Sequence, residues 1–218
     1  MFPAVLCAQS LSVYTEFARI DKTGRVTAPE TPREVLSPAL ARNAYASFQV
    51  VVEAAPDTHW RLFVGQNPDN AVRVTMYHES GEALEPVQLP TEGDGTQVFW
   101  MDLWTERDAT VARIKVEPEL YAKDDWVIYP MEARVMEVRV PNGSQSLPAM
   151  KTYICGSPAV APDSDQARLR SRNAQQDVAL AALGSKDELK KLYGPCGAEP
   201  PDNPEWYLRI RDYLFRLR

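Results

Sequence analysis

Apolar and polar positions alternate with period two through much of the chain up to Val140, in about nine short runs that read as β-strands. The clearest is Tyr45 to Ala54, YASFQVVVEA, where Phe48, Val50, Val52 and Ala54 share one face while Gln49 and Glu53 share the other. Val72, Val74 and Met76 alternate with Arg73, Thr75 and Tyr77 in the same way, and Ile114 and Val116 with Arg113, Lys115 and Glu117. Gln97 to Trp104 breaks the rule: Val98, Phe99, Trp100, Met101, Leu103 and Trp104 leave neither face polar. That pattern belongs to a strand covered on both sides, and the carboxy-terminal segment is the candidate cover for its outer face. Met131, Ala133 and Val135 share one parity and Met136, Val138 and Val140 the other, which predicts a β-bulge or bend at Val135–Met136.

Between these runs lie turn and edge signals. Asp21-Lys22-Thr23-Gly24, Gly65 to Asn70 and Lys123-Asp124-Asp125 turn the chain, while Pro29, Pro32 and Pro38 suit an edge or crossover because they cannot donate to a ladder. From Pro141 the punctuation becomes Gly, Ser and Pro, and from Asp163 the pattern turns helical. Asp163 or Ser164 can cap a helix running to Leu183, with Gly184 as its stop. Ser185-Lys186-Asp187-Glu188 reads as a capping box, and a last helix is expected from Pro204 to Arg218. These signals predict a mainly β protein: an immunoglobulin-like antiparallel sandwich over 11–141, a linker over 142–162 and a helical extension over 163–218.

Composition narrows the classes. A net charge of −6 and a pI near 5.1 argue against a nucleic-acid partner, whose binders carry basic faces. No apolar run reaches the roughly 20 residues of a transmembrane helix. Residues 1–10, MFPAVLCAQS, read as the remnant of a secretory signal ending in a small-x-small step at Ala8-Gln9-Ser10, or as an apolar edge strand. The first reading sets the expectation of an extracytoplasmic, periplasmic or secreted protein. Of the three cysteines, Cys155 and Cys196 flank the helical segment and can close a disulfide, or remain two unrelated reduced thiols.

Asn43, Ser47, Phe48 and Gln49 ahead of a valine run, with Trp100 and Asp102 downstream, resemble the amino-terminal β-sandwich module of large secreted bacterial proteins related to glycoside hydrolases. The resemblance covers half the chain. It implies a carbohydrate-associated accessory role and contributes nothing to catalysis.

The chemistry-bearing residues are few. Asp102, enclosed by Trp100 and Trp104, could be a general acid with a raised pKa or a hydrogen-bonded structural anchor. The anchor is the stronger reading, because a glycosidase needs a second carboxylate about 5 to 9.5 Å away and no pattern nominates one. No catalytic residue is therefore expected. His59 and His78 lack partners at metal-ligand spacing, and Asp163-x-Asp165 lacks the rest of a calcium loop, so neither metal nor cofactor is predicted. Trp60, Trp100, Trp104 and Trp126 either fill the core or form a platform for sugar rings, with Trp104 and Trp60 the named platform candidates. On the last helix, Leu208 and Phe215 fall opposite the broad apolar side of Trp206, Tyr207, Ile210, Tyr213, Leu214 and Leu217. They mark a partner interface, unless the loop 194–203 covers them. The expected function is a non-catalytic exported accessory or interaction protein that binds a larger complex through its sandwich and C-terminal helix. The alternative is a carbohydrate-binding or glycosidase-associated module.

Overall fold

The two residues of each inward-facing pair, such as Val50 and Phe99 across neighbouring strands, come together because β3 (Ala44–Glu53) runs antiparallel to β8 (Gln97–Thr105) from Ala44 to Val52. The computed structural model describes the chain except residues 1–8, 17, 22, 28–35, 81–82, 141–146, 157–159, 169, 171, 199–200, 202–204 and 217–218. Around that pair, β1 (Ser10–Thr15), β5 (Arg73–Ser80) and β6 (Ala83–Val87) complete a five-stranded sheet of order β1-β3-β8-β5-β6. The second sheet has the order β2-β11-β9-β4-β7. It is built from β2 (Ala39–Arg42), β4 (His59–Asn67), β7 (Thr91–Asp94), β9 (Arg113–Ala122) and β11 (Glu132–Arg139), with β10 (Asp125–Ile128) paired to β9. The successions β1-β3-β8-β5 and β11-β9-β4 follow the A-B-E-D and G-F-C orders of an immunoglobulin-type sandwich. The fold class is thus the one the alternation predicted: mainly β, two sheets, no closed barrel.

Alternation decides what lies between the sheets. Phe48, Val50 and Val52 from β3, Phe99, Met101 and Leu103 from β8, and Met76 from β5 meet Trp60, Leu62, Ile114, Val116, Leu120, Ala133 and Val135 from the other sheet. Burying each large side chain of this set stabilises the fold by about 1.5 to 3 kcal/mol. Truncating fully buried Leu62 to Ala would cost about 2 to 5 kcal/mol.

The outer face of the five-stranded sheet departs from the expected pattern. Gln49, placed by its parity among outward polar residues, is fully buried. Its side-chain amide donates to the carbonyls of Ala18 at 2.7 Å and Thr15 at 3.0 Å, which fastens the chain after β1 back across the sheet. The Asp21 carboxylate holds the turn in this segment by accepting from the amides of Thr23 and Arg25. Gly24 sits there at φ +80, and a Cβ would lie 2.8 Å from Val51 Cγ1, so only glycine fits. Ala18 and Ile20, with Val26, pack on Tyr14, Val51 and Val98. Val98 on β8 is therefore covered by the sandwich's own returning segment, which the hydrophobic pattern had assigned to the helical tail.

Two further expectations change. Val135–Met136 carries no switch of inward parity: Ala133 and Val135 are buried, and beyond Val135 the strand leaves the core with Met136 and Val138 exposed. The span 142–162, read as a linker, contains α1 (Pro148–Cys155). Contacts divide the chain between Glu137 and Val138, and the second unit carries α1, α2 (Ser164–Arg168), α3 (Arg172–Leu183), α4 (Lys186–Tyr193) and α5 (Glu205–Arg216). The capping box at α4 is formed as predicted: Ser185 Oγ accepts from the Glu188 amide, and the Glu188 carboxylate accepts from the Ser185 amide. Within this unit Asp177 is buried and accepts hydrogen bonds from the Leu147 amide at 2.7 Å and from the Tyr193 hydroxyl. The Tyr193 ring meets Trp206 edge-on at 4.8 Å. Among the described residues no helix is long and apolar enough to cross a membrane. Residues 1–8 of the expected signal remnant lie outside the described residues, and Ser10 opens β1.

Candidate functional site

The outward face of the second sheet carries a row of aromatic side chains across three strands. Registers set Arg61 of β4 opposite Tyr121 of β9, and Tyr121 opposite Trp126 of β10. One step along, Phe63, Glu119 and Ile128 form the next row. Leu62 and Leu120, one residue away, point into the core, so period two sends these rows outward. Lys123 and Asp124 make the β9–β10 connection, both with positive φ, at +52 and +60. A two-residue turn with both central residues left-handed matches the strand twist and draws β10 tightly against β9.

Trp126 is 48% exposed and Ile128 50%. The Trp126 ring lies 5.0 Å from Tyr121 and 5.3 Å from Phe63, tilted by 47° and 49°. Because Phe63 stands two strands away from Trp126, the indole must reach across β9, and the three rings form a continuous, twisted apolar surface. Polar groups frame it. Tyr121 donates its hydroxyl hydrogen to Asp124 at 3.0 Å; that bond and the aspartate charge raise the phenol above its ordinary value, while the Arg61 charge pulls it down. Glu119 leans over Gly65, where a Cβ would stand 2.5 Å from a carboxylate oxygen. Arg61 also faces Glu92 on β7 at 3.5 Å and lines a cleft of about 580 Å³ with Gln88, Pro90, Thr91 and Glu92. His59 beside it pairs with Asp94 at 3.2 Å. Aromatic faces with a polar rim can stack against the C–H faces of a ligand while hydrogen-bonding its hydroxyl edge.

The residues singled out from sequence fall elsewhere. Trp60 is 1% exposed: its ring meets Phe99 edge-on at 5.9 Å and its indole N–H donates to the Gly95 carbonyl at 2.8 Å. Trp104, 6% exposed, is closed over by Tyr45 at 4.7 Å, with the Arg73 guanidinium 5.9 Å above its ring. Neither offers a free face, whereas the ring of Trp126 stands exposed beside Tyr121 and Phe63. The sequence around Trp126 offers no cue, since Trp126, Val127 and Ile128 form an unbroken apolar run. Phe215 is 7% exposed and Leu208 half-buried. Asp102 is buried and accepts from Ser47 Oγ at 2.6 Å and from the Trp100 indole N–H at 2.9 Å. Cys155 and Cys196 are both exposed, and neither is in a disulfide. Among the described residues no group of three or more His, Cys, Asp or Glu side chains is placed to hold a metal ion.

Fold and site together define a two-sheet β-sandwich that presents an aromatic platform on one sheet. No family model matches the chain, and no curated protein does. Among solved structures it is similar to a family 123 glycoside hydrolase from Clostridium perfringens, with a TM-score of 0.46 and 9% identity over 62% of this chain and 28% of that one. It is also similar to a GH5 xyloglucanase of Bacteroides ovatus solved with a XXXG heptasaccharide, with a TM-score of 0.32 and 13% identity over 71% of this chain and 22% of that one. SSP-19, an MSP-domain-like protein of Caenorhabditis elegans, aligns with a TM-score of 0.26 and 10% identity over 45% of this chain and 94% of its own. The chain spans about a quarter of the length of the two hydrolases. At these values a shared activity does not follow.

Proposed function

We propose that this protein is a non-catalytic, extracytoplasmic accessory module that binds a neutral carbohydrate on the Phe63–Tyr121–Trp126 face. The observation that carries the reading is Trp126, half exposed yet fixed against two other rings on a tight hairpin. A large aromatic left in water has a ready use as a stacking surface, because a pyranose presents an apolar C–H face of similar size. Arg61, Glu119 and Asp124 stand where hydroxyl groups at the edge of a stacked ring would need donors and acceptors. Acidic side chains outnumber basic ones here, with Glu92, Glu117, Glu119, Asp124 and Asp125 against Arg61, Lys115 and Lys123, and the whole chain carries −6. That balance favours a neutral sugar over a uronate or sulfated one. The absence of catalysis belongs to the same proposal: among the described residues, the deeply enclosed strand carboxylate, Asp102, is engaged by Ser47 and Trp100.

A glycan array followed by calorimetric titration of the best neutral oligosaccharide tests the reading. Binding should fall at least tenfold in Trp126→Ala with the circular dichroism spectrum unchanged. No binding to any neutral glycan, or equal binding by wild type and Trp126→Ala, would overturn it.

A further inference from the structure

Cys155 ends α1, and Cys196 lies in the turn after α4, within the same helical unit. The fold carries them toward one another. Gly197 rests directly on α1: a Cβ there would stand 2.9 Å from Lys151 Cγ and 3.1 Å from Lys151 Cα. Lys151 is one helical turn before Cys155 and shares its face. The turn that brings the second thiol to this place is unusual. Cys196 and Gly197 are both left-handed, at φ +49 and +71, a conformation that few residues other than glycine adopt. Desolvation by its surroundings pushes the Cys155 thiol up, as does its hydrogen bond with the Cys196 side chain. Both cysteines are exposed, so an oxidant can reach them.

We propose that Cys155 and Cys196 form an intramolecular disulfide that staples α1 to the turn after α4. The oxidant is a second disulfide, such as that of a thiol–disulfide oxidoreductase or glutathione disulfide. One cysteine thiolate attacks this disulfide, forming a mixed disulfide and releasing one thiolate. The other cysteine then attacks the mixed disulfide, and the second thiolate leaves. Two electrons and the two thiol protons pass to the oxidant, which departs as two thiols, and one S–S bond is exchanged for another. The proposal is independent of the carbohydrate face, which lies on the sandwich.

The test uses the full chain after equilibration with glutathione disulfide. Alkylation before and after reduction counts the free thiols, and peptide mapping names the linked pair. Cys7 is the third cysteine of the chain, so one alkylated thiol is expected before reduction and three after, with a Cys155–Cys196 peptide in the map. The mass should fall by about 2 Da on oxidation, one hydrogen from each thiol. Thermal unfolding of the helical unit should move down by roughly 10 °C when the bond is reduced. Cys196→Ser should leave Cys155 open to alkylation and abolish the shift. Three alkylated thiols after oxidation, or a bond from either cysteine to Cys7, would overturn the proposal.

Discussion

Ser47 on β3 and Asp102 on β8 face each other across the central strand pair of the first sheet, and the serine hydroxyl donates to the carboxylate at 2.6 Å. The Trp100 indole donates to the same oxygen at 2.9 Å. Residues that look like a catalytic acid among tryptophans thus act as a polar clasp on the sheet's outer face. Asp102→Asn retains an acceptor oxygen and should cost little. Asp102→Ala strands two buried donors and should lose about 1 to 3 kcal/mol in chemical denaturation. Equal stability of the Ala variant and wild type would show that the clasp contributes nothing.

Trp60 is 1% exposed and Trp126 48%, and their truncations should differ accordingly. Trp60→Ala removes a ring packed on Phe99 and the hydrogen bond to Gly95, and should destabilise by about 3 to 5 kcal/mol. Trp126→Ala should cost about 1 kcal/mol or less, since surface substitutions away from caps and cores rarely cost more. The pair of urea curves separates a core tryptophan from a platform tryptophan without any ligand in hand.

Asp177 should make the helical unit less stable as pH rises. Burial raises its carboxyl from an ordinary 3.8 to about 6, against the lowering effect of the Tyr193 and Leu147 hydrogen bonds. A group whose folded value lies above its unfolded one holds its proton more tightly when folded. Its contribution is fully present below about pH 3.8 and is lost as pH passes 6. Over that window the shift is worth about 3 kcal/mol at most. Asp177→Asn can still accept from the Leu147 amide and donate to the Tyr193 oxygen, so it should fold and flatten the pH dependence. Thermal melts of both proteins between pH 4 and 7 check this, and parallel curves would refute it.

What was legible in the chain was local. The parity of Phe48, Val50 and Val52 assigned one side of β3 to the core, because successive strand side chains point to opposite faces whatever the surroundings. Ser185 and Glu188 announced a helix start, since both hydrogen bonds of that cap are made within four residues. What lay beyond reach was the identity of the cover on each element's other side. Gln49 has outward parity yet is buried, because the segment after β1 folds back and offers its carbonyls. Trp60 alternates with His59 and Arg61, so its parity already groups it with Leu62, whereas Trp126 is followed by Val127 and Ile128 and only the pairing of β10 with β9 turns it to solvent. Cys155 and Cys196 are distant in the chain, and the Gly197 turn onto Lys151 makes them neighbours. Periodicity sets a side chain's direction relative to its own backbone, whereas burial depends on long-range contacts that no single element specifies.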